Sequence, residues 1–172
     1  MADQTGLARE AAALRPSLAI SAKRMLVFID DENCGADVAR WLKRDALDAP
    51  VPEIVLLAVL PRPDEVRTRG IYIDKVRAHL RETGQRRLQD AHLALADAAI
   101  PHIMRVELGD AAQTILRCAR EQKCDLIAIA AKPRGEWRKK WVSATGIVLD
   151  SLAGQVAEVA DVPVVILKPD AR

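Results

Sequence analysis

Two short segments of opposite charge hold the residues best suited to chemistry: Asp30-Asp31-Glu32-Asn33, which follows one apolar run, and Ala131-Lys132-Pro133-Arg134-Gly135, which follows another. A carboxylate such as Asp30 accepts hydrogen bonds from an adenine amino group or a ribose hydroxyl, while side-chain cations and helix N-termini complement phosphates. If folding brings the two segments together, a nucleotide laid between them matches both ends. The basic stretch continues through Arg138, Lys139 and Lys140 against the single acid Glu136, with Trp137 and Trp141 four residues apart and on one face if helical. Three readings of it stay open. The cations hold phosphates; the tryptophans and their basic rim form a partner or dimer contact; or the tryptophans pack on the sheet edge while the cations stay solvated.

The remaining reactive residue types form no comparable constellation. His79, His92 and His102 lack the His/Cys spacing of a metal site and read as packed or surface residues. Asp30, Asp31 and Glu32 suit a divalent ion beside a nucleotide, and equally the start of a helix. Cys34, Cys118 and Cys124 are an odd number without a Cys-x-x-Cys pair, which fits a reducing compartment and small buried hydrophobes. There is no nucleophile elbow and no Walker loop, so the expectation is a binding protein and not an enzyme.

The elements that must position these residues follow from the hydrophobic pattern. Met25–Ile29, Ile54–Leu60, His102–Val106, Asp125–Ala130 and Pro163–Leu167 are short apolar runs that read as strands. Between the first two, Val38, Leu42 and Ala46 share a helical face, with Asn33 as N-cap. Val76, Leu80, Gly84, Leu88, Ala91, Leu95 and Ala98 then mark one long amphipathic helix, whose Arg77, Arg81, Arg86 and Arg87 read as a solvated face. Gly84 lies on its apolar side, where a missing side chain permits close packing. Gly109-Asp110 supplies a turn and an N-cap for a helix with the stripe Ala112, Ile115, Leu116 and Ala119. A last helix carries Val148, Leu149, Leu152, Val156 and Val159.

Strands alternating with helices imply a parallel sheet covered on both faces, hence an α/β doubly wound sandwich of five parallel strands. Ligands bind such sheets beyond the strands' carboxyl ends at the switch point. The chain has 172 residues and divides into an N-terminal extension, residues 1–22, and one domain, residues 23–169. Its 26 basic and 24 acidic side chains leave a net charge of +2, so no global field draws it onto nucleic acid or anionic lipid. Three Trp, one Tyr and one Phe are too few for a base-stacking surface. Residues 1–22 lack the apolar stretch of a signal peptide and no window reaches membrane-spanning length, giving a cytoplasmic expectation with no membrane partner.

With its motifs in order, the chain resembles the universal stress protein family. Met25-Leu26-Val27-Phe28-Ile29-Asp30 is similar to that family's opening strand and terminal Asp, and Val106-Glu107-Leu108-Gly109-Asp110 with Ile115-Leu116 to its Gly-Asp turn and third helix. Asp125-Leu126-Ile127-Ala128-Ile129 and Val162-Pro163-Val164-Val165 look like its last two strands. The resemblance implies strand order 3-2-1-4-5, a homodimer through the last strand, a regulatory or stress-response role with a protein partner, and ATP as the candidate ligand. It also implies a backbone contact from Val59 to the ligand. In ATP-binding members a Gly-x-x-Gly, nine residues, then Gly-Ser or Gly-Thr cradle the phosphates. Here the first glycine falls on Ala130, the second on Pro133, which has no amide hydrogen, and the Gly-Ser pair on Asp150-Ser151. Gly135 and Gly146, ten residues apart, offer a shifted version of that loop, which lengthens the final helix by about one turn. The expectation is a degenerate nucleotide loop, with the alternative that Lys132 and Arg134 replace the lost amides in an ATP-binding protein.

Overall fold

A computed structural model of the chain describes residues 22–31, 34–45, 52–63, 73–130 and 152–167. The described strands are β1 (Arg24–Ile29), β2 (Glu53–Leu60), β3 (His102–Leu108), β4 (Leu126–Ala130) and β5 (Val164–Ile166). Alternating with them are α1 (Cys34–Asp45), α2 (Ile73–Asp97), α3 (Ala111–Glu121) and α4 (Leu152–Val159). All strand pairs are parallel, in the order β3-β2-β1-β4-β5. The chain winds outward from β1 to β3 and then crosses back to β4, which puts the switch point between β1 and β4.

Nearly every residue of β1, β2 and β4 is apolar and buried because both faces of a parallel sheet are covered. Alternate side chains feed two cores. Met25, Val27 and Ile29, with Ile54, Leu56 and Leu126, meet Val38 of α1 and Leu88, Ala91 and Leu95 of α2. Leu26 and Phe28, with Val55, Leu57, Ile127 and Ile129, meet Ile115 and Cys118 of α3 and Val156 of α4. Each large side chain removed from water in this way contributes about 1.5–3 kcal/mol. Cys34, Cys118 and Cys124 are all buried among these apolar residues.

Polar chemistry fixes the element ends. Asp125 accepts hydrogen bonds from the backbone amides of Lys23 (2.9 Å) and Arg24 (3.1 Å), so β4 starts one residue later than the apolar run suggests. Arg24 in turn donates to the Gln122 carbonyl (2.8 Å) and pairs with Glu53, which ties the starts of β1, β2 and β4 together. Asp110 caps α3 by accepting from the Gln113 amide at 2.9 Å. β3 runs past Val106 to Leu108, because its ladder with β2 continues through Val59↔Glu107 and Leu60↔Leu108 and ends with the Gly109 amide donating to the Leu60 carbonyl at 2.8 Å.

α2 and α3 end alike. The amides of Ile100 and Cys124 donate to the carbonyls of Leu95 and Ala119, both at 2.9 Å, leaving Ala99 (φ 54°) and Lys123 (φ 53°) in the left-handed region. These are Schellman caps without the usual glycine. Gly84 sits where α2 crosses the ends of β2 and β3: a methyl group there would lie 2.8 Å from Leu60 Cδ1 and closer still to Val106 Cγ1. Val159, expected on the inner stripe of the last helix, is 55% exposed because it is that helix's final residue. Residues 1–21 of the extension, Asn33, Ala46, Val148 and Leu149 lie outside the described residues, whereas the extension's last residue, Ala22, is buried against the core.

Candidate functional site

Three of the residues singled out in the sequence meet at the carboxyl end of the sheet. Asp30 follows β1 directly, and its amide donates to the carbonyl of Ala130, the last residue of β4, at 3.3 Å. The β1–β2 register pairs Phe28 with Leu57, so two residues further on Asp30 is level with Val59. Val59 and Asp30 are thus level, and Ala130, which pairs with Ile29, completes a stepped row across β2, β1 and β4, astride the switch point.

The row has a definite chemical character. The Val59 side chain is buried in the α3–α4 core, so this residue offers a ligand its backbone. The β1–β2 ladder ends at Phe28↔Leu57, whereas β2–β3 pairing continues to Leu60↔Leu108. The side of Ala58 to Leu60 that faces β1 therefore rises beyond its ladder, where a planar base edge can find backbone groups. Asp30 and Asp31 are half-buried, and the Asp31 carbonyl accepts from the Cys34 amide (3.0 Å) to start α1. Ala130 is buried, with a methyl group where the resemblance places a glycine. Lys132, Arg134, Gly135 and Ser151 lie outside the described residues, as do Glu32, Trp137 and Trp141.

Elsewhere the chemistry is structural. Among the described residues no group of three His, Cys, Asp or Glu side chains is arranged to hold a metal ion. Burial pushes the Cys118 thiol up, and Cys124 up to about 11, so both are poor nucleophiles at neutral pH. On the outer strand, burial raises the Glu107 carboxyl, but hydrogen bonds from Arg105 (2.8 Å) and Arg117 (3.2 Å) outweigh it and hold the group below its usual range.

One pairing escaped the sequence. His92 on α2 and His102 on β3 are ten residues apart in the chain, yet His92 Nδ1 lies 2.8 Å from His102 Nε2, while His102 Nδ1 donates to the Ile100 carbonyl at 2.7 Å. The turn after α2 folds one onto the other. The pair sits at the amino end of β3, away from Asp30, and belongs to the α2–β3 packing. The signal in the sequence was a histidine on each side of the helix stop at Ala98 to Pro101.

A doubly wound parallel sheet whose switch point carries a carboxylate and the end of β4, beside a β2 that outruns its ladder with β1, is the frame of an α/β nucleotide-binding-like protein. The chain belongs to the universal stress protein family, whose sequence profile matches residues 21–168. Among solved structures it is similar to a universal stress protein family member from Burkholderia pseudomallei, at 22% identity over 89% of this chain and 98% of that one, with a TM-score of 0.59. It is similar also to hypothetical protein MJ0577 (18% identity, 87% and 98% covered, TM-score 0.65). A third is a family protein from Arabidopsis thaliana with AMP bound (12% identity, 87% and 93% covered, TM-score 0.59). These likenesses establish the fold and its order of strands. No curated protein sequence matches the chain significantly. Among the described residues no helix is long and apolar enough to cross a membrane.

Proposed function

We propose that this chain is a regulatory module of the stress-response type, acting as a homodimer, whose switch-point crevice takes an adenine nucleotide through a modified phosphate loop. The observation that carries the reading is the row of Val59, Asp30 and Ala130 across the three strands that flank the switch point. Asp30 accepts from ribose or adenine, the β2 backbone edge meets the base, and the cations Lys132 and Arg134 take the phosphates in place of glycine amides, with Gly135 and Ser151 completing the loop. The Arabidopsis relative with AMP bound supports a nucleotide as the ligand class. Its effect on function is differential binding of protein partners in the empty and occupied states, without turnover and in the cytoplasm.

The dimer uses the outer edge of β5, which has a sheet neighbour on one side only and shows Ile166 44% exposed. Sedimentation should then depend on concentration, and a monomer at every accessible concentration removes this part of the reading.

The deciding experiment is calorimetric titration of nucleotide-stripped protein with ATP and with adenosine. Replacing Lys132 and Arg134 by Ala should weaken ATP more than adenosine, and equal loss for both rejects the phosphate role. A second reading, a partner-binding module with no nucleotide, is favoured by the Ala130 methyl and by Pro133 at glycine positions. No heat on titration, with an unchanged melting temperature in millimolar ATP, selects it.

A further inference from the structure

β3 closes one side of the sheet: β2 pairs with it, and among the described residues no strand lies along its other edge. The backbone shows which residues face that edge. The Ile54 amide donates to the Pro101 carbonyl and the Gly109 amide to the Leu60 carbonyl, so the odd-numbered residues here direct their amides and carbonyls to β2. Successive residues of a strand point these groups to opposite sides, and His102, Met104, Val106 and Leu108 therefore turn theirs outward. The strand is seven residues long, has no proline within it, and exposes Ile103 and Met104, each at 41%. An edge of this length with exposed apolar side chains is a template for a further strand.

The side chains select that strand. Arg105 and Glu107 stand on the α3 face, where they bind each other at 2.8 Å and Glu107 also reaches Arg117 of α3. Met104, Val106 and Leu108 stand on the α2 face, with Val106 against Gly84. Two copies paired antiparallel must oppose outward-turned residues to outward-turned residues, which leaves few registers. With the two-fold axis at Arg105, that residue meets its own copy, like charge against like. With the axis at Met104, Glu107 falls opposite the partner's Pro101. With the axis at Val106, Arg105 falls opposite the partner's Glu107 and Glu107 opposite the partner's Arg105. These are non-hydrogen-bonded pairs, whose Cα atoms approach to about 4.5 Å and whose side chains meet most closely. The same register sets Met104 opposite the partner's Leu108, with main-chain hydrogen bonds exchanged both ways. The helices allow it. Gly84 abuts both Leu60 and Val106, so α2 lies over β2 and β3 together, and two copies joined at Val106 hold their α2 helices about two strand spacings, or 10 Å, apart, an ordinary packing distance.

We infer that the outer edge of β3 is a self-association surface, taken by the same edge of a second copy in antiparallel register about Val106. It is separate from the β5 contact proposed above and does not depend on it. Copies that use both edges join into one continuous sheet that extends beyond a dimer.

The test is sedimentation of the full chain in an Ile166→Lys background, which charges the β5 edge and leaves β3 unaltered. The inference expects a concentration-dependent dimer there. Arg105→Glu and Glu107→Arg, each added singly, set like charges opposite one another and should weaken that dimer tenfold or more. An equimolar mixture of the two should restore it, because each then meets its complement, and recovery on mixing shows that both are folded. Met104→Lys, at an exposed position whose backbone takes no part in the β2 ladder, should weaken the dimer at an unchanged melting temperature. A monomer at every accessible concentration in the Ile166→Lys background overturns the inference and leaves the edge to a strand of the extension or of a different protein. Self-association that neither charge reversal alters, or a mixture that fails to recover, overturns it equally. Failure of the β5 reading shows separately, as a monomeric Arg105→Glu protein with Ile166 intact.

Discussion

Replacing Gly84 by alanine tests whether α2 is seated as described. Two effects oppose each other. In an isolated helix the change gains about 1 kcal/mol, because glycine is the worse helix former. In this fold the added methyl would lie 2.8 Å from Leu60 Cδ1, 3.0 Å from Val106 Cγ2 and nearer still to Val106 Cγ1. Overpacking of this kind costs about 1–3 kcal/mol. Leu60 can rotate its terminal methyls, but the Val106 methyls are fixed to a β-branched carbon on an outer strand, so relief requires helix and strand to move apart. The steric cost should exceed the propensity gain and leave a net loss of about 1 kcal/mol. For a domain of this size that lowers the melting temperature by about 2–4 °C, at an unchanged urea m-value. Val106→Ala made in the Gly84→Ala background should recover part of the loss, giving a coupling of about 0.5–1 kcal/mol in a double-mutant cycle. A Gly84→Ala protein as stable as wild type, with no coupling to Val106, would refute the close seating.

Ala99→Gly and Lys123→Gly should each stabilise the protein by about 0.5–1 kcal/mol in urea denaturation, because a left-handed non-glycine residue costs about 1–2 kcal/mol and glycine's greater unfolded-state freedom returns only part of it. The two caps lie on opposite faces of the sheet, so the gains should add. Stability should fall as pH rises from about 9 toward 11, since the unfolded Cys124 thiol ionises near 9.0 and the folded one only near 11; Cys124→Ala should flatten that decline. Glu107 has a lowered folded pKa, so its contribution is present above its ordinary value of 4.5 and is lost as pH falls through the folded value. Glu107→Gln should cost about 0.5–1 kcal/mol at neutral pH and reduce the acid sensitivity measured by the urea midpoint.

Much of the fold is legible in the sequence because its strongest signals are periodic. The apolar runs of β1, β2 and β4 and the stripe of α2 follow from burial on two faces of one sheet, and Asp110 reads as a cap from its place after Gly109. The strand ends are less legible, since they depend on partners remote in sequence: β3 gains Glu107 and Leu108 only because β2 continues beside it. Of the candidate site, Asp30 and Ala130 meet as the strand order requires, but the order came from resemblance and not from spacing. Arg77 and Arg81 are exposed, as the solvated face read from the period of α2 implies. His92 and His102 were invisible as a pair, because neither period nor composition encodes a turn that brings two rings edge to face at 5.0 Å.

The switch point is also a seam. β1 meets β2 through one short crossover, whereas its bond to β4 joins residues about a hundred positions apart, as the 101-residue span between Arg24 and Asp125 illustrates. Closing the longer loop costs more chain entropy, so β1-β2-β3 with α1 and α2 is the more local half, and β4 with α3 the half that docks onto it. The junction of Asp30 with Ala130 thus lies along the boundary at which partial opening separates the molecule most economically. On the proposed reading, a ligand spanning that boundary would act as a cross-brace: its occupancy would set how often the two halves part, and a partner that recognises the parted form would sense the ligand without touching it.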